Sequence, residues 1–344
     1  MKKSIIICFV LFGIISCKKE TTTNNSTTDK NQNSTTTEEK KEENSSIFGD
    51  LFEEKPTAFV KQDNGKKLYQ LNLEKGKTYP FNLRETEEQT LSSPKGSESI
   101  KNESYDEINF TVQDTKNDRY QLLVTFVSKS TKISAQGKTI TVDTKSAKPN
   151  DANLAQTYKL FKALVGTSFN LEIDKNGKVT DTKNMENIYK KVEKELKPGL
   201  KKEEYDALLA GIQATLNPEV FKKQFEAILV KFPSQGVQQG DSWKDKPEKS
   251  ISDINYKLTT LDENQAIISV ASAMKPDSKS QSQNGLTMTA GISGNQTGTL
   301  TLDAQSGWMK NAKIVTKITE TQSLTDVKRT EKMSKTVTSS TLVN

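Results

Sequence analysis

Residues 108–126 read INFTVQDTKNDRYQLLVTF, and the spacing of their large apolar side chains decides the fold class. Ile108, Phe110 and Val112 alternate with polar residues. Tyr120, Leu122, Val124 and Phe126 do the same beyond the polar stretch Asp114 to Asp118. Successive strand side chains point to opposite faces, so this period of two marks strands with one buried face. A short polar connection between two such strands makes them an antiparallel pair. The flanks follow the same rule. Tyr69, Leu71 and Leu73, then Tyr79, Phe81 and Leu83, bracket Glu74-Lys75-Gly76-Lys77 as a further expected hairpin. Ile133 and Ile140-Val142 bracket Gln136-Gly137-Lys138 as another. Strand character therefore runs from about Ala58 to Thr144.

Near Asp151 the period changes to about 3.6, that of a helix. Leu154, Tyr158, Phe161 and Val165 form one stripe, closed by Gly166 in a C-terminal cap position. A strand pair follows, Phe169-Leu171-Ile173 and Lys178 to Thr180 around Asp174-Lys175-Asn176-Gly177. A second helix then uses Met185, Ile188, Tyr189, Val192 and Leu196, and stops at Pro198-Gly199. A third runs from about Lys202 to Leu216. The fourth starts at Asn217-Pro218, with asparagine as cap and proline at the first helical position.

Strands return after a loop from Phe232 to Trp243. Their cores are Ile254-Tyr256-Leu258, Ala266-Ile268-Val270, Leu286-Met288-Ala290-Ile292, Leu300-Leu302 and Ala312-Ile314-Thr316-Ile318. Asp262-Glu263-Asn264, Ser293-Gly294-Asn295 and Asp303 to Gly307 read as the turns between them. The order strands, helices, strands predicts an α+β fold. In it a large curved antiparallel sheet, half-barrel-like, comes from N- and C-terminal strand blocks and packs on a central group of about four helices. The tail after about Leu324 is polar and threonine-rich, with no pattern that specifies structure.

The first residues, MKKSIIICFVLFGIISCKK, have two lysines, an apolar run from Ile5 to Ile15 and a small residue before Cys17. The run falls short of the roughly 20 apolar residues that span a bilayer, so it reads as a cleaved secretion signal with a lipobox. Residues 1–16 would leave as the signal peptide. Cys17 would then carry the lipid, and its acyl chains would anchor the protein stably to a membrane. Residues 17–57 read as a disordered polar tether, because Lys18 to Ser46 contains no apolar residue to offset ordering entropy. As a flexible coil that stretch would reach roughly 30 Å. Ile47 to Phe52 is a small apolar island, and residues 58–344 read as a single α+β body.

Composition excludes much chemistry. The chain has no histidine, and its two cysteines are Cys8, inside the signal, and Cys17. Histidine triads, Cys-His catalysis and zinc sites all need residues that the mature chain lacks. The net charge of +6 is spread over 50 basic and 44 acidic side chains without long blocks. Nucleic-acid binding, which wants a concentrated basic face, is not expected. Hydrophobic residues make up 32%, and even with 17 glycines added this stays below the roughly 45–50% of ordinary domains.

Several motifs invite a chemical reading, and each has a plainer one. Asp174-Lys175-Asn176-Gly177 starts like a calcium loop but lacks the later oxygen ligands, so a hairpin turn accounts for it. Ser92-x-x-Lys95 and Ser272-x-x-Lys275 match the serine-lysine spacing of penicillin-binding enzymes, but neither sits on a helical pattern and no Lys-Thr-Gly follows. Glu85, Glu87 and Glu88, or Glu203 and Glu204, could supply paired carboxylates for glycoside hydrolysis, yet they read as solvated faces. Trp243 and Trp308, the only tryptophans, each follow a turn and begin a strand. They are the candidate contacts for an apolar ligand or a partner, against a packing role at the core edge.

The lipobox, the segment Leu71 to Leu83, the hairpin Phe169 to Val179 and the Gly240-Asp241-Ser242-Trp243 loop together resemble an uncharacterised lipoprotein family of Bacteroidota. The strand Gly298 to Asp303 with Ser306-Gly307-Trp308 fits the same family. A more distant likeness is to the lipoprotein-localisation carriers and receptors, in which a curved half-barrel covered by helices holds acyl chains. That resemblance implies an apolar cavity of ligand size. In that phylum the residues after the acylated cysteine address lipoproteins to a face, and Lys18-Lys19-Glu20 is similar to the surface signal in part, which leaves the face open and points to the outer membrane. The expectation is a non-catalytic binding or scaffold lipoprotein without cofactor or metal. Its partners would be the membrane through Cys17 and an apolar small molecule or an envelope protein. The alternative is an envelope hydrolase using paired carboxylates.

Overall fold

A computed structural model of the chain describes residues 57–246, 252–283, 286–326 and 329–344. The signal segment, Cys17, the tether and the Ile47 to Phe52 island lie outside these residues. The N-terminal strands are β1 (Phe59–Lys61), β2 (Lys67–Tyr69), β3 (Thr78–Ser93), β4 (Gly96–Lys116), β5 (Arg119–Ala135) and β6 (Lys138–Asp143). Helix α1 (Ala152–Leu164), strands β7 (Ser168–Asp174) and β8 (Val179–Lys183), and helices α2 (Glu186–Leu196), α3 (Lys202–Thr215) and α4 (Pro218–Ile228) follow. The chain closes with β9 (Ser242–Asp245), β10 (Ile254–Leu261), β11 (Gln265–Gln283), β12 (Leu286–Asp303), β13 (Met309–Thr325) and β14 (Thr330–Val343).

The fold is α+β but mostly β. One antiparallel 12-stranded sheet runs in the order β8-β7-β5-β4-β3-β14-β13-β12-β11-β10-β9, with β6 paired to β5 alongside β7. It ends at β8 and β9 and does not close into a barrel. Tight turns set the hairpins. Asn117 and Asp118 both have positive φ (52° and 58°), as do Gln136 and Gly137 (50° and 74°), the pattern of two-residue turns that match strand twist. The first of these turns is shorter than the Asp114 to Asp118 connection read from the sequence, because β4 and β5 pair out to Lys116 and Arg119.

Two expectations fail, and a stretch without an assigned structure proves to be a strand. Tyr69, Leu71 and Leu73 are buried, but they form no hairpin with Tyr79 to Leu83. Strand β3 is paired on both sides, to β4 and β14, so no edge remains for them. β2 pairs with β1 instead, while Leu71 N–H and Asn72 N–H donate to the carbonyls of Lys175 and Ser306. Ser293-Gly294-Asn295 is no turn either. It lies within the continuous strand β12, paired to Ile318 and its neighbours. Finally, the unpatterned tail is β14, the strand that joins the two blocks by pairing with both β13 and β3.

Glycine permits close approach in β12. A Cβ on Gly298 would sit 2.5 Å from the Lys313 carbonyl oxygen and 2.9 Å from Ile314 Cα. Gly298→Ala should therefore force β12 and β13 apart and cost about 1–3 kcal/mol. At Gly211, inside α3 with open space around it, alanine should instead add about 0.5–1 kcal/mol. Urea unfolding of the two variants checks this difference in sign.

The core lies on one face of the sheet, here called the inner face. The ladder aligns Leu258, Ile268, Leu300, Ala312, Val343, Leu83, Asp106 and Lys129 as one row across eight strands, and every member is buried. The helices cover the β4–β8 side of this level, and Phe59, Tyr69 and Phe232 pack toward Trp243 and Tyr256 on the other side. Asp151 caps α1 by accepting from Asn153 and Leu154 N–H, and Asn217 caps α4 by accepting from Val220 N–H. From α4, Phe221 meets Phe169 edge-on at 4.8 Å and Phe225 lies 5.5 Å from Phe110. Such aromatic pairs add about 0.5–1.5 kcal/mol beyond their area.

Candidate functional site

The long strands continue past the helices, and there the two faces of the sheet differ in chemistry. On the outer face hydroxyl side chains pair across the strands. Thr90 bonds Ser99, Ser92 bonds Ser97, Ser134 bonds Thr139, Ser280 bonds Thr289 and Thr319 bonds Thr336, all within 2.8–3.3 Å. Such pairs stabilise an antiparallel ladder whose face stays in water.

The inner face begins at the buried row with an ion pair. Lys129 Nζ donates to both Asp106 oxygens, at 2.6 and 2.9 Å, and lies 5.3 Å from the Phe161 ring centroid. Burial pushes the Asp106 carboxyl above its usual range, and Lys129 opposes that shift by its charge and hydrogen bonds. Glu85, 8% exposed, lies one row nearer the tip on β3. The next row is polar: Gln296, Thr316, Ser339, Glu87 and Asn102. Ile133 and Ile140 continue that same row, Ile100 is level with Ile318 and Val337 in the row beyond, and Leu91 is level with Ile292 in the next.

Each hairpin end places two large apolar side chains on the inner face. They are Leu91 and Ile100 for β3–β4, and Ile133 and Ile140 for β5–β6. Leu286 and Met288 serve β11–β12, and Leu324 and Met333 serve β13–β14. Their exposures run from 41% to 51%. That these side chains share a face follows from the register. Leu91 faces Lys335, two residues from Met333, and Leu324 faces Glu331 and Met288. All four turns lie at the same end of the sheet. Gln89, Glu98, Lys335 and Glu320 stand between them on the same face, so this open face is mixed, with exposed aliphatic side chains set among charged ones.

The pockets are small and partly open. A space of about 150 Å³ lies on β5, β7 and β8 and has a mixed lining that includes Gln121, Asn170, Lys183, Leu122 and Leu171. An apolar one of about 10 Å³ lies between Phe225 and Trp308. Ligand pockets usually hold roughly 300–1,000 Å³, so among the described residues neither is the ligand-sized cavity expected from the carrier likeness. What is present is an open face.

The candidate residues fall in different places. Trp308 is 7% exposed, and its indole N–H donates to the Pro80 carbonyl at 3.2 Å. Trp243 is partly buried against Phe232 and Tyr256, and its N–H donates to the Lys231 carbonyl. The structure does not bring the two tryptophans to the open face. Asp174 accepts from Asn176 and Lys178 N–H, as a hairpin turn does. Ser92 sits near the β3–β4 turn. Ser272 and Lys275 lie in extended β11, where three residues span about 10 Å rather than one helical turn. Glu87 and Glu88 point to opposite faces of β3, whereas Glu203 and Glu204 start α3. Among the described residues no cluster of His, Cys, Asp or Glu could hold a metal ion, and no helix is long and apolar enough to cross a membrane. Sequence reading took Ile133, Ile140, Leu286 and Met288 for strand residues but missed Leu91, Ile100 and Met333, since isolated apolar residues in a polar stretch make no periodic signal.

An open, mostly antiparallel sheet with helices on one face and an uncovered extension defines the class of protein. The chain belongs to a family of unknown function, DUF6263, whose model matches residues 117–309. That stretch runs from the β4–β5 turn through the helices to the start of β13. No curated protein matches the sequence. Among solved structures the chain is similar to one titled "Lipid-protein interactions in lipovitellin". There the TM-score is 0.37 and the identity 10%, over 79% of this chain and 25% of that one. The chain thus spans a quarter of that protein's length. Two Pseudomonas aeruginosa structures, OccK5 (OpdH) and OccK11 (OpdR), align at 8% identity and a TM-score of 0.17. They cover 77% and 80% of this chain and 98% and 100% of their own. Likenesses this loose assign no activity.

Proposed function

We propose that this protein is a non-catalytic binding lipoprotein of a bacterial envelope, tethered to the outer membrane through acyl chains on Cys17. Its inner sheet face, read as a curved half-barrel, receives an apolar small molecule or an apolar segment of an envelope protein. The observation that carries this reading is the division of the sheet beyond the helices, with a hydroxyl ladder outside and uncovered aliphatic side chains inside. Gly291, Gly294 and Gly298, together with register shifts in β4, β10 and β11, are devices that curve a sheet and support the half-barrel. An acyl chain laid on such a face would bury apolar area at roughly 25 cal/mol per Å².

Two neighbouring residues of β14 give a test. Val337 faces Gln89 and Ile318 on the inner face, while Thr338 points outward. Val337→Glu should weaken binding of a fluorescent long-chain fatty acid by about tenfold or more, because an unpaired charge would meet the chain, and Thr338→Glu should leave it unchanged. Equal effects at both positions would refute the small-molecule reading. Native mass spectrometry of protein purified from its own envelope would identify the ligand class. A clean apo mass would leave the protein-partner version. The rival hydrolase reading would have to use Glu85 and Asp106, the buried carboxylates of the described residues, and Asp106 is engaged by Lys129.

A further inference from the structure

We propose that β6 is a pairing edge for a second copy of this chain, the two β6 strands joining antiparallel about a two-fold axis at Ile140. The second copy then adds its own Ile133 and Ile140 to the open inner face. This pairing does not depend on the face holding an apolar ligand.

Among the described residues β6 pairs with β5 alone. The tight turn at Gln136-Gly137 makes Ala135 and Lys138 a hydrogen-bonded pair. Ile140 and Val142 therefore also bond β5, and Thr144 N–H, next in that series, donates to the Lys129 carbonyl. Thr139 and Thr141 turn their N–H and C=O groups the other way, and among the described residues no further backbone bond uses them. Both residues are exposed. Such a row of free donors and acceptors is a template for another strand, and proteins usually blunt it. Elsewhere this chain does so. Where β11 runs on past β10, Lys275-Pro276-Asp277 carries a proline and a register shift. At the β8 edge, Val179 N–H donates to Glu226. β6 has neither proline nor bulge, and its Thr-Ile-Thr-Val core is β-branched throughout.

The edge is complementary to itself in one register. With Ile140 facing Ile140 of the second copy, Thr139 faces Thr141 and Thr141 faces Thr139, so every free group on the two residues is satisfied. Lys138 then faces Val142 and Gly137 faces Asp143, so no like charges are opposed. On the inner face Ile133 and Ile140 are level with each other and 41% and 46% exposed. Their counterparts in the second copy extend that row into one aliphatic strip, in which each Ile140 is covered by the other. Any extended peptide could take the hydrogen bonds. A second copy also supplies the matching isoleucine pair, and that selects it as the occupant.

Oxidative crosslinking of the purified full chain in detergent tests this. Facing residues of a non-hydrogen-bonded antiparallel pair have Cα atoms about 4.5 Å apart, within reach of a disulfide. Ile140→Cys should therefore crosslink to its own copy, giving a dimer on a non-reducing gel about fivefold stronger than Lys138→Cys gives. Lys138 lies on the same face of β6, but in this register the two copies of it stand about 13 Å apart along the strands. Cys8 and Cys17 give the same background in both variants and in the parent. Adding Thr141→Pro to I140C should bring the dimer down to the K138C level, because proline removes a free N–H yet is tolerated on an edge strand. Thr141→Val should leave it unchanged. Equal crosslinking of I140C and K138C, or a dimer that survives T141P, would overturn the proposal, since the contact would then be collisional. Absence of the I140C dimer would overturn it as well. Slow hydrogen exchange of the Thr141 amide in that case would mean that an extended segment other than a second β6 lies along the edge.

Discussion

Lys129→Met should lower stability at neutral pH by about 3–5 kcal/mol, the usual result of removing one partner of a buried ion pair. Asp106 is 2% exposed and has its oxygens 2.6 and 2.9 Å from Lys129 Nζ. Without the lysine, both interactions that lower the Asp106 pKa disappear and only desolvation is left. The carboxyl then binds its proton more tightly in the folded state than in the unfolded one. A raised carboxyl pKa makes the folded state bind more protons, so stability falls as pH rises from the unfolded Asp value toward the raised folded value. The loss in K129M should therefore shrink as pH is lowered toward about 4, the range of an ordinary aspartate. The double variant Asp106→Asn with Lys129→Met should recover most of the stability, because no charge remains buried. Urea unfolding across pH checks all three. A K129M variant as stable as the parent would mean that water reaches Asp106 and that the inner face opens one row deeper than the helices suggest.

Trp308→Ala should cost a similar amount, about 3–5 kcal/mol, as large-to-small changes in a core do. The ring lies 5.2 Å from Phe110 and 5.4 Å from Tyr79, measured between centroids. Its removal also leaves the Pro80 carbonyl without the indole donor. Trp243→Ala should cost less, since that ring is only partly buried. The pair bears on function as well as stability. If W308A folds normally and loses an apolar ligand, Trp308 belongs to the binding surface. If it loses stability and the residual folded protein still binds, the ring is structural.

Legibility in the sequence tracked burial. Where one face is fully covered, alternation was plain: Tyr79, Phe81 and Leu83 in β3, Ile108 and Phe110 in β4, Leu122 and Val124 in β5. Helix ends at Asp151, Asn217 and Gly166 were readable because capping is local. The distal halves of β3, β4 and β11 were not, since neither face there is fully covered and the strand state comes from its neighbours rather than from its own pattern. β14 is the extreme case. Its sequence TEKMSKTVTSSTLV carries little alternation, yet it is hydrogen-bonded to β13 along its whole length and to β3 over ten residue pairs. Gly294 misled for a related reason: glycine marks a turn or a close approach of strands, and only the position of β13 decides which.

The sequence by itself determined the succession of strand block, helices and strand block, the turns at Asn117-Asp118 and Gln136-Gly137, and the absence of histidine with its closing of whole reaction classes. These depend on near neighbours along the chain. Only the tertiary structure decided that the last strand inserts between the two blocks and that β3 has no edge left for β2. It also decided that Leu91 and Met333 lie on one face at one end of the sheet. Strand neighbours distant in sequence are chosen by which faces can be buried together, and a register shift of one residue would send every one of these side chains to the other side. The candidate site exists only as a consequence of that register.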